Sequence, residues 1–510
     1  MTSLSVQSTH RHYPEIGEAL PKEKPRWITV VKKIIITAAL IFASTVIGCF
    51  AGGGIGAAIG LAIGVAVSAT LLIAKCIHDL VSKKRLLYQL PQEGSHKALL
   101  PPDAASLGAY YKADVRLTET ANESLFWKEK IIDAAEESIE ISCNFAGGTL
   151  FRDVLSRIDK KMADKPAIKT HILLSHDNLL ESADKEQLQT LATRYPDRFA
   201  YLISDRHRKF GLSIHTEENH MKMVVVDGKY FVSGGTGLSA NFCRDTYQPQ
   251  AGERTDGLIP PATKDTDLVG KSDKIAQLMR DQFFNLYRLW EIRTHEKEVS
   301  SRYFPLTKQA GHCPDFATKE GLLQDVRLKY IVSGPEHGNN NPIIREFQKR
   351  ISRASKEIRI ANWKFCPTAA IQGALLKAKA DTPDIKVIAH LNGMADAFSL
   401  GRYYLTHTSR AFYHLVDKVY EYTGSHQLYH KKVTTFDNTH LMIGSFNFNK
   451  KSAKYDHEGM FVVKNSDIVK ACKKDLQLDK KRSIKRYESH FNFFAKIYSC
   501  LLARITQNEV

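Results

Sequence analysis

Two short stretches hold the residues best suited to chemistry on an anionic centre. His430, Lys432 and Asp437 are spaced HxKxxxxD, and the same spacing occurs at His220, Lys222 and Asp227. The second copy continues into Gly444-Ser445-Phe446-Asn447, a small-residue turn, and then reaches a carboxylate at Glu458. A phosphodiester is anionic at neutral pH and resists attack. It needs its oxygens neutralised, a nucleophile, and a proton for the leaving oxygen. Imidazole titrates at about pH 6.5, so one histidine can attack as a neutral base while another donates as a cation. Lysine ammoniums and donors from a Ser/Asn turn complement charge that develops on phosphoryl oxygens. No spacing calls for a metal, and no cofactor is expected.

In an extended strand the His and Lys of HxK point to the same side, because side chains alternate with a period of two. One such motif is weak evidence. Two copies, each followed by an apolar run and a small-residue turn, are strong evidence. The doubled pattern resembles the phospholipase D superfamily, whose members cleave or transfer phosphodiesters, and the resemblance covers about residues 110–470.

That resemblance implies two similar lobes meeting face to face, with one site at the seam. It implies His220 as nucleophile through a phosphohistidine intermediate and His430 as general acid and then base; the order of the two stays open. Lys222 and Lys432 would bind the phosphate, with Ser445 and Asn447 in the phosphate-contacting turn. Glu458 fits the acidic position that hydrogen-bonds a catalytic histidine and fixes its tautomer. Asp227 and Asp437 complete the catalytic motif, although a role in capping and bracing each lobe is the preferred reading of both.

The first copy departs from this pattern. After six intervening residues beyond Asp227 the turn begins Gly234-Gly235-Thr236-Gly237, so glycine occupies the expected Asn position. Gly235 and Thr236 are taken as its substrate-binding residues, with Asn241 as a substitute if the loop folds back. Asp267 is the preferred first-lobe counterpart of Glu458, with Asp265 behind it.

The surrounding elements follow from periodicity. Ile131 to Ser142 reads as a helix end running into an alternating strand, Ile168 to Ser175 as a strand, and Met221 to Val226 as a buried β-branched strand. Residues 236–263 read as a long loop, and Ser272 to Trp290 as a helix by its apolar spacing. The second half repeats the order at 351–361, 384–388 and 433–436. The expected fold is α/β: two similar phospholipase D-like lobes with mixed sheets flanked by helices, preceded by a transmembrane helical hairpin.

The hairpin rests on a run from Ile34 to Ala74 without one charged residue. At about 1.5 Å per residue this is roughly 60 Å of helix, enough for two bilayer crossings. Gly52-Gly53-Gly54 supplies the break, and Gly56, Gly60 and Gly64 allow close helix packing. Lys and Arg on both flanks put both ends on the cytoplasmic side. The expected organisation is a flexible tail (1–27), the hairpin (28–85), a linker (86–112), a first lobe (113–300), a second lobe (301–470) and a basic, amphipathic C-terminal segment (471–510). The apolar end of that segment is read as a helix docked on the second lobe in preference to one touching a membrane surface.

The chain of 510 residues has a net charge of +17, which suits a polyanionic partner. Its eight cysteines lack CxxC spacing and are read as reduced thiols. The function expected is a multi-pass membrane phosphodiesterase or phosphatidyltransferase acting on phospholipid, similar to bacterial cardiolipin synthase, with its catalytic part on the cytoplasmic side. A nuclease of the same superfamily, for which nucleic acid would be the partner, and a catalytically silent membrane scaffold are the alternatives.

Overall fold

The computed structural model describes residues 108–175, 180–204, 218–239, 263–294, 321–393, 400–424 and 427–506. The tail, the expected hairpin at 28–85, the linker as far as residue 107, the junction between the two lobes and Asn241 lie outside the described residues. Among those described, no helix is long and apolar enough to cross a membrane.

The interval between Lys and Asp in each HxKxxxxD motif is the length of one strand. Met223–Val226 and Lys432–Phe436 are buried strands that turn back antiparallel against Tyr230–Gly234 and His440–Gly444. Asp227 and Asp437 stand at the two hairpin turns with φ of 55° and 52°, a left-handed conformation that Asp tolerates better than most residues. Their carboxylates accept backbone N–H groups from the corner where the preceding helix enters its strand. Asp227 holds Glu136, Glu137 and Ser138 at 2.7–3.0 Å, and Asp437 holds Ser355, Lys356 and Glu357 at 2.8–3.1 Å.

These aspartates therefore sit at the far end of the strand from their histidines, and the catalytic placement of Asp227 and Asp437 is corrected. Five extended steps carry the chain roughly 16 Å away from the lysine. Replacing either Asp with Ala leaves three N–H groups without their acceptor and puts a less tolerant residue at positive φ. We expect a loss of about 2–4 kcal/mol of stability, read as a lower melting temperature, while turnover per folded molecule stays within a few-fold of wild type.

The strand order repeats once. From the middle outward, the first lobe runs Tyr111–Leu117, Asp267–Lys271, Tyr230–Gly234, Met223–Val226, Ser138–Cys143, Lys169–Leu174 and Phe199–Ile203. The second runs Leu323–Ser333, Asp456–Lys464, His440–Gly444, Lys432–Phe436, Glu357–Asn362, Lys386–Asn392 and Lys418–Tyr422, with Ser483–Arg486 added at the edge. In each lobe the outer three strands of the seven are parallel and the rest antiparallel.

The two inner edge strands pair with each other, Tyr111 opposite Leu328. The expected separate sheets are thus one continuous mixed sheet, and the lobes join edge to edge. An open inner edge would expose a row of unpaired N–H and C=O groups; the second lobe caps it.

Side-chain alternation divides the core accordingly. Along the second lobe Leu441, Ile443, Phe461 and Val463 face a core shared with Val225, Phe231 and Leu268 of the first lobe. Phe231 and Phe461 stack across the lobes at 5.4 Å. The intervening Met442, Val462 and Phe436 face a core belonging to the second lobe alone, and Val224, Val226 and Val232 face its counterpart in the first.

Helices cover both sheet faces. Asn341 caps one of them, accepting from Ile343 and Ile344 N–H ahead of Pro342, and Ile343, Phe347 and Ile351 line its buried stripe. The C-terminal helix Phe493–Thr506 lies against the helix Leu400–Arg410 of the second lobe, with Ala503 in that lobe's core. Cys143, Cys366 and Cys472 are buried thiols outside any disulfide.

Candidate active site

The residues just before each HxK cross from one lobe to the other. Glu218–Asn219 pairs in parallel with Asp456–His457, and Leu428–Tyr429 pairs in parallel with Thr263–Lys264. His220 N–H donates to the His457 carbonyl at 2.9 Å, and His430 N–H donates to the Lys264 carbonyl, also at 2.9 Å. Each histidine is thereby tied to the residue that precedes an acid of the opposite lobe.

The rings complete the exchange. His220 Nδ1 lies 2.9 and 3.0 Å from the two Glu458 oxygens, and His430 Nδ1 lies 2.5 Å from Asp265 Oδ2. A carboxylate at Nδ1 fixes the ring's orientation and leaves Nε2 as the nitrogen available for reaction. Ser445 Oγ in turn donates to Glu458 and accepts from Gly459 N–H at 3.1 Å. Both lysines fold back in the same way: Lys222 Nζ reaches the His220 carbonyl at 3.0 Å, and Lys432 Nζ the His430 carbonyl at 2.6 Å. Lys432 Nζ is also 3.0 Å from both ring nitrogens of His430. All of these groups are buried.

The preference for Asp267 as counterpart of Glu458 is corrected: Asp265 is the partner. Asp267 lies opposite Gly234 in the sheet, as Met460 lies opposite Gly444, so Asp265 takes the place of Glu458 two residues earlier. Asp267 instead faces the helix Ala121–Asp133, where Ser124 Oγ donates at 2.5 Å and Lys128 Nζ lies at 3.1 Å. Thr236 N–H donates to its other oxygen at 3.1 Å.

The turns differ as their sequences do. Gly235 stands where the second lobe has Ser445, and a Cβ there would meet the Asp265 carboxylate at 2.3 Å. Only glycine leaves room for that acid. Thr236 presents its backbone to Asp267 and Lys128. Asn447 is buried and its Oδ1 has no hydrogen-bond partner, whereas Gly237 brings no side chain to the equivalent place.

Burial disfavours every charge in this cluster. It holds the His220 imidazole well below its ordinary range, with Lys222 and Lys432 adding to the effect. Burial does the same to His430, again reinforced by Lys432 and Lys222. It brings Lys432 down to about 7 against the opposing pull of Asp265, and raises Asp265 to about 6. Lys222 is lowered by burial and Glu458 raised by it, with Asp456 adding to the latter. The mutual influence crosses the lobes in both directions, Lys432 acting on His220 and Lys222 on His430.

Among the described residues, His220, Asp456 and Glu458 are the acid and imidazole groups whose atoms could meet on one cation, lying within 4.8 Å of one another. Lys451 already sits there, 2.5 Å from Asp456 and 3.0 Å from Glu218.

The chain is thus built of doubled lobes with crossed histidine–carboxylate pairs. Residues 347–480, the stretch that contains the second motif, match the family described as cardiolipin synthase, PLD-like domain. No curated protein sequence matches the chain. Among solved structures it is similar to phosphatidylserine synthase from Haemophilus influenzae Rd KW20, at 13% identity and a TM-score of 0.58, covering 81% of this chain and 99% of that one. It also matches Nuc, a phospholipase D family member from Salmonella typhimurium, at 18% identity and a TM-score of 0.26, over 31% of this chain and 99% of that one. At 13% identity the likeness to the synthase concerns the fold.

Proposed function

We propose that the chain is a membrane-anchored phosphodiesterase or phosphatidyltransferase that acts on phospholipid through a phosphohistidine intermediate. The observation that carries this reading is the reciprocal pairing of His220 with Glu458 and of His430 with Asp265, each across the lobe boundary. The match of residues 347–480 to a cardiolipin synthase-like domain supports phospholipid as the substrate class. The charge-free run at 34–74 supports an anchor of two spans with the catalytic part on the cytoplasmic side.

The chemistry runs on this chain's own side chains. His220 and Glu458 share a proton; with it on Nδ1, the Nε2 lone pair attacks phosphorus and the alcohol oxygen leaves. His430 supplies the proton to that oxygen. Its depressed basicity recovers when an anionic phosphodiester binds between Lys222 and Lys432. In the second half His430 takes a proton from water or an alcohol, which attacks the phosphohistidine and restores His220. The lysines and the Asn447 amide hold the phosphoryl oxygens throughout.

The test is purified full-length protein assayed without divalent metal against mixed phospholipid vesicles and against DNA. Release or exchange of a head group is expected; DNA cleavage with no lipid turnover would overturn the reading. The same assay carries a pH prediction. Asp265 is ionised only above about pH 6, and Lys432 is cationic only below about pH 7. The free enzyme's kcat/KM should therefore fall on the acid side as Asp265 gains a proton and on the alkaline side as Lys432 loses one. The result is a narrow maximum between these values; a profile flat from pH 5 to 9 would contradict it.

A further inference from the structure

The surroundings of the two histidines are not alike, and the difference centres on Trp363. It directly follows the strand Glu357–Asn362, and its ring lies 4.5 Å from the His430 ring, centroid to centroid. Lys432 Nζ stands 5.1 Å from the indole centroid and Lys364 Nζ 4.5 Å. Lys364 also contributes to the lowered basicity of His430 and Lys432, which places its charge within reach of both. Asn392 Nδ2 donates to the Trp363 carbonyl at 3.0 Å and to the Tyr429 carbonyl at 2.8 Å, so the residue is locked to the segment that leads into His430.

Against this rigid setting, the indole Nε1 is shielded from solvent and has no hydrogen-bond partner. A buried donor left unmade costs free energy, and next to a reacting imidazole it suits an oxygen that arrives with the substrate. Sheet register sets Trp363 and Lys364 at the places held in the first lobe by Asn144 and Phe145, since Ile358 faces Phe436 as Ile139 faces Val226. Asn144 turns to Glu218 at 3.5 Å instead, and Phe145 brings no charge. The device exists on the His430 side alone.

We infer that Trp363 and Lys364 form a subsite beside His430 for the alcohol portion of the substrate, and that this alcohol bears a phosphate of its own. The indole N–H donates to an oxygen of the alcohol, and the ammonium over the ring selects a second anion. This deepens the proposed function and rests on it only for the identity of the reaction.

The experiment uses full-length protein in detergent with ¹⁵N-indole-labelled tryptophan, and sn-glycerol 3-phosphate as probe. The chain has four tryptophans, and the signal missing in Trp363→Phe or Trp363→Tyr identifies the one in question. Saturable movement of the Trp363 indole resonance is expected, with affinity by calorimetry weakened about tenfold in Trp363→Phe. Plain glycerol should bind far more weakly, and Lys364→Ala should weaken the phosphate-bearing probe. An unmoved Trp363 signal at saturation, equal affinity in Trp363→Phe, or glycerol binding as tightly as its phosphate would each overturn the inference, as would no binding by the wild type. Phosphodiester turnover is measured separately. A chain that binds the probe through Trp363 but cleaves no phosphodiester sinks the catalytic reading and leaves the subsite.

Discussion

Replacing His220 or His430 with alanine should lower phosphodiester turnover by roughly 10⁴-fold or more, and the double variant should be scarcely worse than either single one. The reason is geometric. Each imidazole is fixed at two points, by its backbone N–H on the opposite lobe and by a carboxylate on Nδ1, so no other group can take its place at phosphorus. The effect must be catalytic, because alanine still offers the N–H that ties the lobes together. Single-turnover assays with a lipid labelled in its phosphatidyl part separate the two roles. With His220 as nucleophile, Ala at 220 abolishes the covalent adduct, whereas Ala at 430 slows its formation and its breakdown. An adduct on the His220→Ala protein that maps to His430 would exchange the assignments. Variants that keep even a tenth of wild-type turnover would remove the histidines from the chemistry.

The second large effect distinguishes two acids that stand two residues apart. Asp265→Asn should lower kcat by roughly 10²- to 10⁴-fold, because an amide can present N–H to Nδ1 and stabilise the wrong tautomer of His430. Its melting temperature should move little. Asp267→Asn should do the reverse. It removes the carboxylate charge 3.1 Å from a buried ammonium, Lys128, which costs about 3–5 kcal/mol, while turnover per folded molecule is nearly kept. The comparison needs only a melting curve and an initial rate for each protein. If Asp267→Asn proves inactive but stable and Asp265→Asn active, the crossed pairing of Asp265 with His430 is wrong.

The chemistry-bearing set was largely legible in the chain. Spacing brings out both HxK pairs, because a strand's two-residue repeat fixes that distance locally, and the family resemblance adds the Ser445 turn and Glu458. The choice between Asp265 and Asp267 failed for a local reason as well. The segment 240–262 lengthens the interval after the first motif, so counting from Asp227 does not land where counting from Asp437 does. A signal was present nonetheless: setting Leu268-Val269 against Phe461-Val462, with Lys271 against Lys464, puts Asp265 level with Glu458. Trp363 carried no such mark. A tryptophan at a strand end is ordinary, and its meaning comes from His430, far along the chain.

By itself, then, the sequence determined which side chains could handle a phosphate, that they come in two sets, and that each set rides on a buried strand ending in a braced turn. Period, turn chemistry and composition act over a few residues, and these facts need no more. Only the tertiary structure decided that the lobes join edge to edge and that each histidine answers to a carboxylate of the other lobe. It also decided that an indole and an extra ammonium stand beside His430. Such pairings depend on which edge strand meets which and on the register they adopt, and many residues distributed over both lobes settle that together.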